Sequence, residues 1–236
     1  MALLEVQAID TYYGKSHVLH GVSLTVDEGQ IVALLGKNGV GKTTTLRSIM
    51  GLTPPRSGII RFKGEEIQGR KPFEIARTGV GFVPEDRAIF PDITVLDNLE
   101  IAAKRRSDGS LLWDTDKVFD YFPVLKVKRD QRGENLSGGE QQMLTLARTL
   151  MGNPELILLD EPCEGLSPVI VSEIFQLLKT LRDEERVTIL LAEQNVKFCM
   201  RIADWAYLLE KGVITRSASM ASINSTPEIQ RKYFDL

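Results

Sequence analysis

Three short strings carry residue types whose spacing could do chemistry on phosphates. The first is Gly36-Lys37-Asn38-Gly39-Val40-Gly41-Lys42-Thr43, which fits G-x-x-x-x-G-K-[ST]. Glycines at those offsets let the backbone wrap so that successive N–H groups point inward at an anion. Lys42 then reaches the β- and γ-phosphates of a nucleotide, and the Thr43 hydroxyl is a ligand for Mg²⁺. A chance glycine-rich turn has no reason to follow a strand and open a helix. Here Ile31 to Leu35 is a continuous apolar run, and Leu46, Ile49 and Met50 share one helical face after the loop. The helix start adds the positive end of its dipole.

The second string, Leu156-Ile157-Leu158-Leu159-Asp160-Glu161, is a buried strand that delivers two acids at its carboxyl end. Ligands of open α/β sheets bind at that end. Asp160 suits the Mg²⁺ shell beside Thr43, and Glu161 is free to act as a base toward water. Alone, such an acidic turn is ordinary surface; beside a phosphate loop it is the strongest candidate for metal and base. The third string, Leu136-Ser137-Gly138-Gly139-Glu140-Gln141-Gln142, opens a helix with Leu144, Ala147, Leu150 and Met151 on one face. A hydroxyl, bare backbone N–H groups and a helix N-terminus make a second anion site. Two phosphate-binding elements with a single lysine loop imply two chains with ATP between them.

The elements that must position these strings read as strands alternating with helices. Val22, Leu24 and Val26 alternate as a half-buried strand, Ile60 and Phe62 mark another closed by Gly64, and Val80 to Val83 is a strand broken by Pro84. From Thr94 to Met151 the period is mostly helical, with a charged, loop-like interruption from Lys104 to Asp116. Strands return at Leu156 to Leu159 and Val187 to Ala192. Between them Ser167 is expected to cap a helix with Pro168 at its first position, with Ile170, Ile174, Leu177, Leu178 and Leu181 as its buried stripe. Strands separated by helices predict an α/β fold around a parallel sheet, with the helical middle as an insert.

Composition bounds the rest. The 236 residues are 43% hydrophobic and 26% charged, as in an ordinary soluble globular protein. A net charge of −3 offers no basic surface for nucleic acid. No apolar run approaches the ~20 residues of a membrane span. Met1 to Asp10 carries Glu5 and Asp10 without a basic leader, unlike a signal peptide. Cys163 and Cys199 have no metal-site spacing and read as free thiols of a reducing compartment.

With the three strings in this order and at this spacing, the sequence resembles the ABC ATPase family along nearly its whole length. The resemblance implies a RecA-like P-loop NTPase core, an N-terminal antiparallel β subdomain and an inserted α-helical subdomain. The chain then divides into 1–90 (β subdomain and first part of the core), 91–152 (helical) and 153–236 (remaining core). It also implies a head-to-tail dimer in which Ser137, Gly138, Gly139 and Glu140 of one subunit meet ATP held by the Gly36–Thr44 loop of the other, Thr44 included. Tyr13, followed by Gly14, looks like the aromatic that stacks on adenine.

Three positions depart from the commonest family pattern. Glu85 in Val83-Pro84-Glu85 stands where glutamine is usual, Gln194 where a γ-phosphate-sensing histidine is usual, and Ser167 where aspartate is usual. The chemistry argues for retained activity: Glu85 can accept from water on Mg²⁺, and the Gln194 amide donates to a phosphate oxygen without a titrating proton. These departures, with Ser167-Pro168-Val169-Ile170-Val171-Ser172-Glu173-Ile174-Phe175, resemble the ATPases that power branched-chain or hydrophobic amino-acid uptake. That resemblance implies membrane permeases, a paralogous or identical ATPase partner, a periplasmic or extracellular binding protein, and a place on the cytoplasmic face of the membrane. A chain end at Phe234-Asp235-Leu236 after a Tyr-containing helix fits it too. Phe90-Pro91 and the helix after Thr94 are the expected permease contacts, with internal packing of Ile89 and Phe90 as the alternative. Rival readings are an importer ATPase for urea or short amides, a soluble ABC ATPase of DNA repair or translation, and a non-hydrolysing scaffold.

Overall fold

In a computed structural model that describes residues 2–106 and 109–225, the first half of the chain holds most of the strands. These are β1 (Ala2–Tyr13), β2 (Ser16–Asp27), β3 (Ile31–Leu35), β4 (Ser57–Phe62), β5 (Glu65–Glu66) and β6 (Val80–Val83), with α1 (Lys42–Ile49) and α2 (Pro72–Thr78) between them. The middle is α3 (Val95–Ala102), α4 (Thr115–Tyr121), α5 (Pro123–Val127), a 3₁₀ turn (Gly133–Asn135) and α6 (Gly138–Met151). The remainder is β7 (Leu156–Asp160), α7 (Pro168–Asp183), β8 (Thr188–Glu193), α8 (Val196–Ile202), β9 (Trp205–Glu210), β10 (Val213–Ser219) and α9 (Met220–Ser225). The expected Tyr-containing terminal helix lies outside the described residues.

Two sheets organise these elements. One is antiparallel, in the order β2-β1-β4-β5. The other runs β10-β9-β3-β8-β7-β6 and is parallel except for β10 at its edge. The parallel strands are apolar on both faces because both are covered. Ile31, Ala33 and Leu35 join one hydrophobic core with Ile157, Leu159, Ile189 and Leu191, under the helical middle, α7 and α8. Val32 and Leu34 join the other with Leu156, Leu158 and Leu190, under α1 and the antiparallel sheet. Each fully buried Leu or Ile contributes about 1.5–3 kcal/mol. The central sheet is therefore held from both sides. The fold is the expected α/β one, and among the described residues no helix is long and apolar enough to cross a membrane.

Local expectations need two corrections. Ser167 stands at the cap of α7 with Pro168 first, but its side chain makes no capping hydrogen bond. Pro168 already fixes the first helical φ, and Val171 N donates to Ser167 O at 3.0 Å. Ile170 is only half-buried, packed toward the start of α6, while Phe175 joins Ile174, Leu177, Leu178 and Leu181 in the stripe.

The described part of the segment between α3 and α4 is tied down by one buried amide. Asn153 is 1% exposed at φ 52°. Its Oδ1 accepts from Leu112 N at 2.7 Å and Trp113 N at 2.8 Å, and its Nδ2 donates to Lys104 O at 2.8 Å and Trp113 O at 2.9 Å. These bonds seat Trp113, itself 1% exposed, in the core. Asn153→Ala strands several buried backbone groups and should lower unfolding free energy in urea by about 3 kcal/mol. An unchanged urea midpoint would show that the amide is dispensable.

Candidate nucleotide site

Four neighbouring parallel strands, β3, β8, β7 and β6, end on the same edge of the sheet and each delivers one of the sequence-predicted groups. β3 runs into the Gly36 loop, β7 ends in Asp160 and Glu161, β8 ends before Gln194, and β6 ends before Pro84 and Glu85. The glycine at the loop's first position is dictated by close approach. A Cβ on Gly36 would lie 2.6 Å from Leu209 O and 2.7 Å from Val40 Cγ2. Gly41, at φ 115°, turns the chain into α1.

The loop closes on its own lysine. Lys42 Nζ donates to Gly36 O at 2.8 Å and to Lys37 O at 3.0 Å, and lies 3.0 Å from Glu161 Oε1. The two side chains are 2% and 10% exposed. Beside this pair, Thr43 Oγ1 donates to Asp160 Oδ1 at 3.0 Å. A hydroxyl and a carboxylate are the hard oxygen donors that Mg²⁺ takes. Burial pushes Asp160 up to about 6 from 3.8; the Glu161 and Glu85 charges add to the rise, while the Thr43 hydrogen bond and Lys42 oppose it. Glu85 is exposed yet close enough to act on Asp160. Gln194 is exposed and shares a cleft of about 780 Å³ with Gly36, Lys37 and Val40. Asn38 and Gly39 lie exposed on the loop, and Thr44 is buried in the first turn of α1.

Other expected residues sit apart from this centre. Tyr13 is 47% exposed at the tip of the β1–β2 hairpin. Ser137 is exposed at the start of α6, where its hydroxyl accepts from Glu140 N and its own N–H donates to Glu140 Oε2 at 2.9 Å. The Glu140 carboxylate is thereby committed to the cap and to Lys128 Nζ at 2.7 Å. A Cβ on Gly139 would meet Ile170 Cγ1 at 2.8 Å, so this glycine also lets α6 pack on α7. After Glu85 the chain turns through Arg87 at φ 64° and Ala88 at φ 38°. Thr145 Oγ1 donates to Arg87 O, and Asn98 exchanges bonds of 2.9 Å with Phe90 N and Phe90 O. Ile89 packs inward, whereas Phe90 stays 48% exposed under the Arg148 guanidinium, 4.9 Å away.

Two acids at the site were not singled out from the sequence. Glu193 is 4% exposed; its Oε2 accepts from Gln194 N at 3.1 Å and Asn195 N at 3.0 Å, and burial raises its pKa. An acid closing the apolar run of β8 is the same signal that marked Asp160 on β7. Glu164 is pushed up to about 7, first by its hydrogen bond to Glu161 and then by the Glu161 charge.

Comparison with known proteins shows the family. The family model described as ABC transporter matches residues 19–164. The chain belongs to the ABC transporter family. The high-affinity branched-chain amino acid transport ATP-binding protein BraG of Pseudomonas aeruginosa is 41% identical to this ATPase over 98% of the chain and 99% of its own length. The probable branched-chain amino acid transport ATP-binding protein LivF of Archaeoglobus fulgidus is 36% identical over 89% of each. The lipopolysaccharide export system ATP-binding protein LptB of Escherichia coli is 33% identical over 99% and 97%. Among solved structures, the ADP conformation of the cassette MJ1267 matches with a TM-score of 0.82 at 26% identity, covering all of both chains. The ABC ATPase chain is an ATP-binding, ATP-hydrolysing subunit.

The raised Asp160 pKa sets a pH dependence. The folded state holds this proton more tightly than the unfolded chain, so the contribution to stability is present below pH 3.8 and is lost as pH rises through about 6. With nucleotide and metal removed, Asp160→Asn should therefore be more stable than the native protein at pH 7.5, by about 2 kcal/mol. The gap should close on acidification to pH 4. Equal stabilities in urea at both pH values would contradict the assigned burial cost.

Proposed function

We propose that this ATPase powers the import of branched-chain or other hydrophobic amino acids. It works as one of two cassettes, paralogous or identical, on the cytoplasmic face of the membrane. Its partners are a pair of permeases fed by a periplasmic or extracellular binding protein. The observation that carries the catalytic reading is the Thr43–Asp160 bond of 3.0 Å beside the Lys42–Glu161 pair of 3.0 Å. Support for the substrate is the higher identity to BraG and LivF, at 41% and 36%, than to the lipopolysaccharide export ATPase, at 33%. Glu85, Gln194 and Ser167 point the same way.

In this reading Thr43 and Asp160 would hold Mg²⁺, with Glu85 placed to accept from a water beside it. The ion would supply positive charge against the β- and γ-phosphates. Tyr13 stacks on adenine, and the N–H groups from Gly36 to Thr44 surround the phosphates. Lys42 exchanges its bond with Glu161 for phosphate oxygens. Glu161, released, takes a proton from the water that attacks the γ-phosphorus, and Gln194 donates to a γ-phosphate oxygen. Ser137, Gly138 and Gly139, at a helix start capped by Glu140, meet the γ-phosphate held by the second subunit. The stroke then moves the helical segment 91–152 against 1–90 and 153–236, with exposed Phe90 reaching toward the permease.

Glu161→Gln should keep ATP binding and cut turnover about a thousandfold; normal turnover would remove Glu161 from the role of base. For the substrate, membrane proteins that copurify with the ATPase should form a complex whose turnover rises with binding protein loaded with leucine, isoleucine or valine. Stimulation by urea, a short amide or lipopolysaccharide in their place would reassign the transporter.

A further inference from the structure

The hairpin tip that carries Tyr13 differs on its two faces. Side chains alternate along a strand, so Tyr12 and Tyr13 point to opposite sides of β1. Tyr13 is exposed, but Tyr12 lies inside a stack. The Arg56 guanidinium carbon sits 4.1 Å from the Tyr12 ring centroid. The His17 ring lies against Tyr12 at 4.1 Å with planes only 8° apart, and His20 packs on His17 at 3.9 Å. A cation and a ring at those distances cannot share one face, so Tyr12 is held between them.

Arg56 also reaches past Tyr12 to the turn. Its Nη2 donates at 2.5 Å to the carbonyl of Gly14, the residue that follows Tyr13. The arginine is itself anchored. Its backbone N donates to Asp10 O at 2.8 Å, and its neighbour Ser57 donates to Asp10 Oδ2 at 2.7 Å. Asp10 Oδ1 lies 2.8 Å from His17 Nε2 and accepts from Gly21 N at 3.2 Å. The strand register shifts between Thr11 and Tyr12, where a bulge re-aims the side chains that follow. One guanidinium therefore engages both neighbours of Tyr13, the Tyr12 ring by stacking and the Gly14 carbonyl by a hydrogen bond.

We propose that Arg56 is a positioning residue for nucleotide binding, which fixes the orientation of the Tyr13 ring by clamping Tyr12 and Gly14. The inference rests on Tyr13 being the adenine platform. A ring on a free hairpin tip presents the right face only part of the time, and the apparent affinity falls by that fraction. Arg56 comes from the segment after α1, so the phosphate-side helix and the adenine-side hairpin are tied together.

The test is equilibrium binding of ATP, and separately of inorganic tripolyphosphate, each with Mg²⁺, to the full chain and to Tyr13→Ala, Arg56→Gln and the double variant. Tyr13→Ala should weaken ATP about tenfold through lost base stacking. Arg56→Gln should weaken ATP about fivefold by loosening the platform. Neither should change tripolyphosphate binding, which has no base to stack; that ligand also reports whether each variant is folded. In the Tyr13→Ala background Arg56→Gln should have no further effect on ATP. If Tyr13→Ala leaves ATP binding unchanged, the platform reading falls and the clamp with it. If Tyr13→Ala acts but Arg56→Gln does not, the clamp alone is overturned. The clamp is also overturned if Arg56→Gln weakens tripolyphosphate equally, or acts undiminished without Tyr13.

Discussion

The site depends on the burial of one ammonium group. Taking a charge out of water costs several kcal/mol unless it is paired and hydrogen-bonded. Lys42 meets that condition through two peptide oxygens of its own loop and the Glu161 carboxylate at 3.0 Å. The loop oxygens are available only if Gly36 passes close to Leu209, where any side chain would collide with its carbonyl. Glu161 is available only if β7 lies parallel to β3 with β8 between them and ends level with the loop. The apolar strands, the covering layers and the glycine positions are thus conditions for a single ion pair.

Around that lysine the carboxylates outweigh the cation. Asp160 is held near 6 first by burial and then by the Glu161 and Glu85 charges, and Glu164 near 7 by its hydrogen bond to Glu161 and then by the Glu161 charge. Such a site is poorly suited to a bare polyphosphate, which would add more negative charge. In the proposed reading it is suited to a polyphosphate that arrives with a divalent ion, for which Thr43 and Asp160 would give up their direct hydrogen bond. While Lys42 rests on Glu161, the proposed base is engaged and cannot take a proton from water. Phosphate oxygens competing for Lys42 would release it.

Much of this was legible in the sequence because each string combined residue type with an element boundary. The phosphate loop, the acid pair after β7 and the Ser-Gly-Gly helix start all sit where a periodic run stops, and periodicity locates such stops. What escaped has no local signature. Asn153 organises the segment after α3 through contacts some forty residues away in the chain. Arg56 reaches Gly14 across a similar separation. Glu193 closes the apolar run of β8 as Asp160 closes that of β7, yet only the strand order places it between the lysine loop and the acid pair. At Ser167 the local pattern was right for the helix start, with Pro168 first, although the hydroxyl makes no capping hydrogen bond.

The start of α6 shows why one residue type can answer two demands. Gly139 leaves backbone N–H groups bare, as an anion site requires, and the same missing Cβ lets Ile170 of α7 approach. Gly138 lies against the Arg87 guanidinium, where a Cβ would stand 2.7 Å from Nη1. Further along α6, Thr145 and Arg148 hold the carbonyls of Arg87 and Ala88. The helix that would touch a second subunit's nucleotide is therefore tied to the loop that carries Glu85 toward its own. In the proposed dimer, a shift of α6 on meeting the opposite γ-phosphate cannot leave that loop where it was. The left-handed residues Arg87 and Ala88 are the point at which the loop would have to give, and Phe90, pinned by Asn98 and exposed beside them, would move with it.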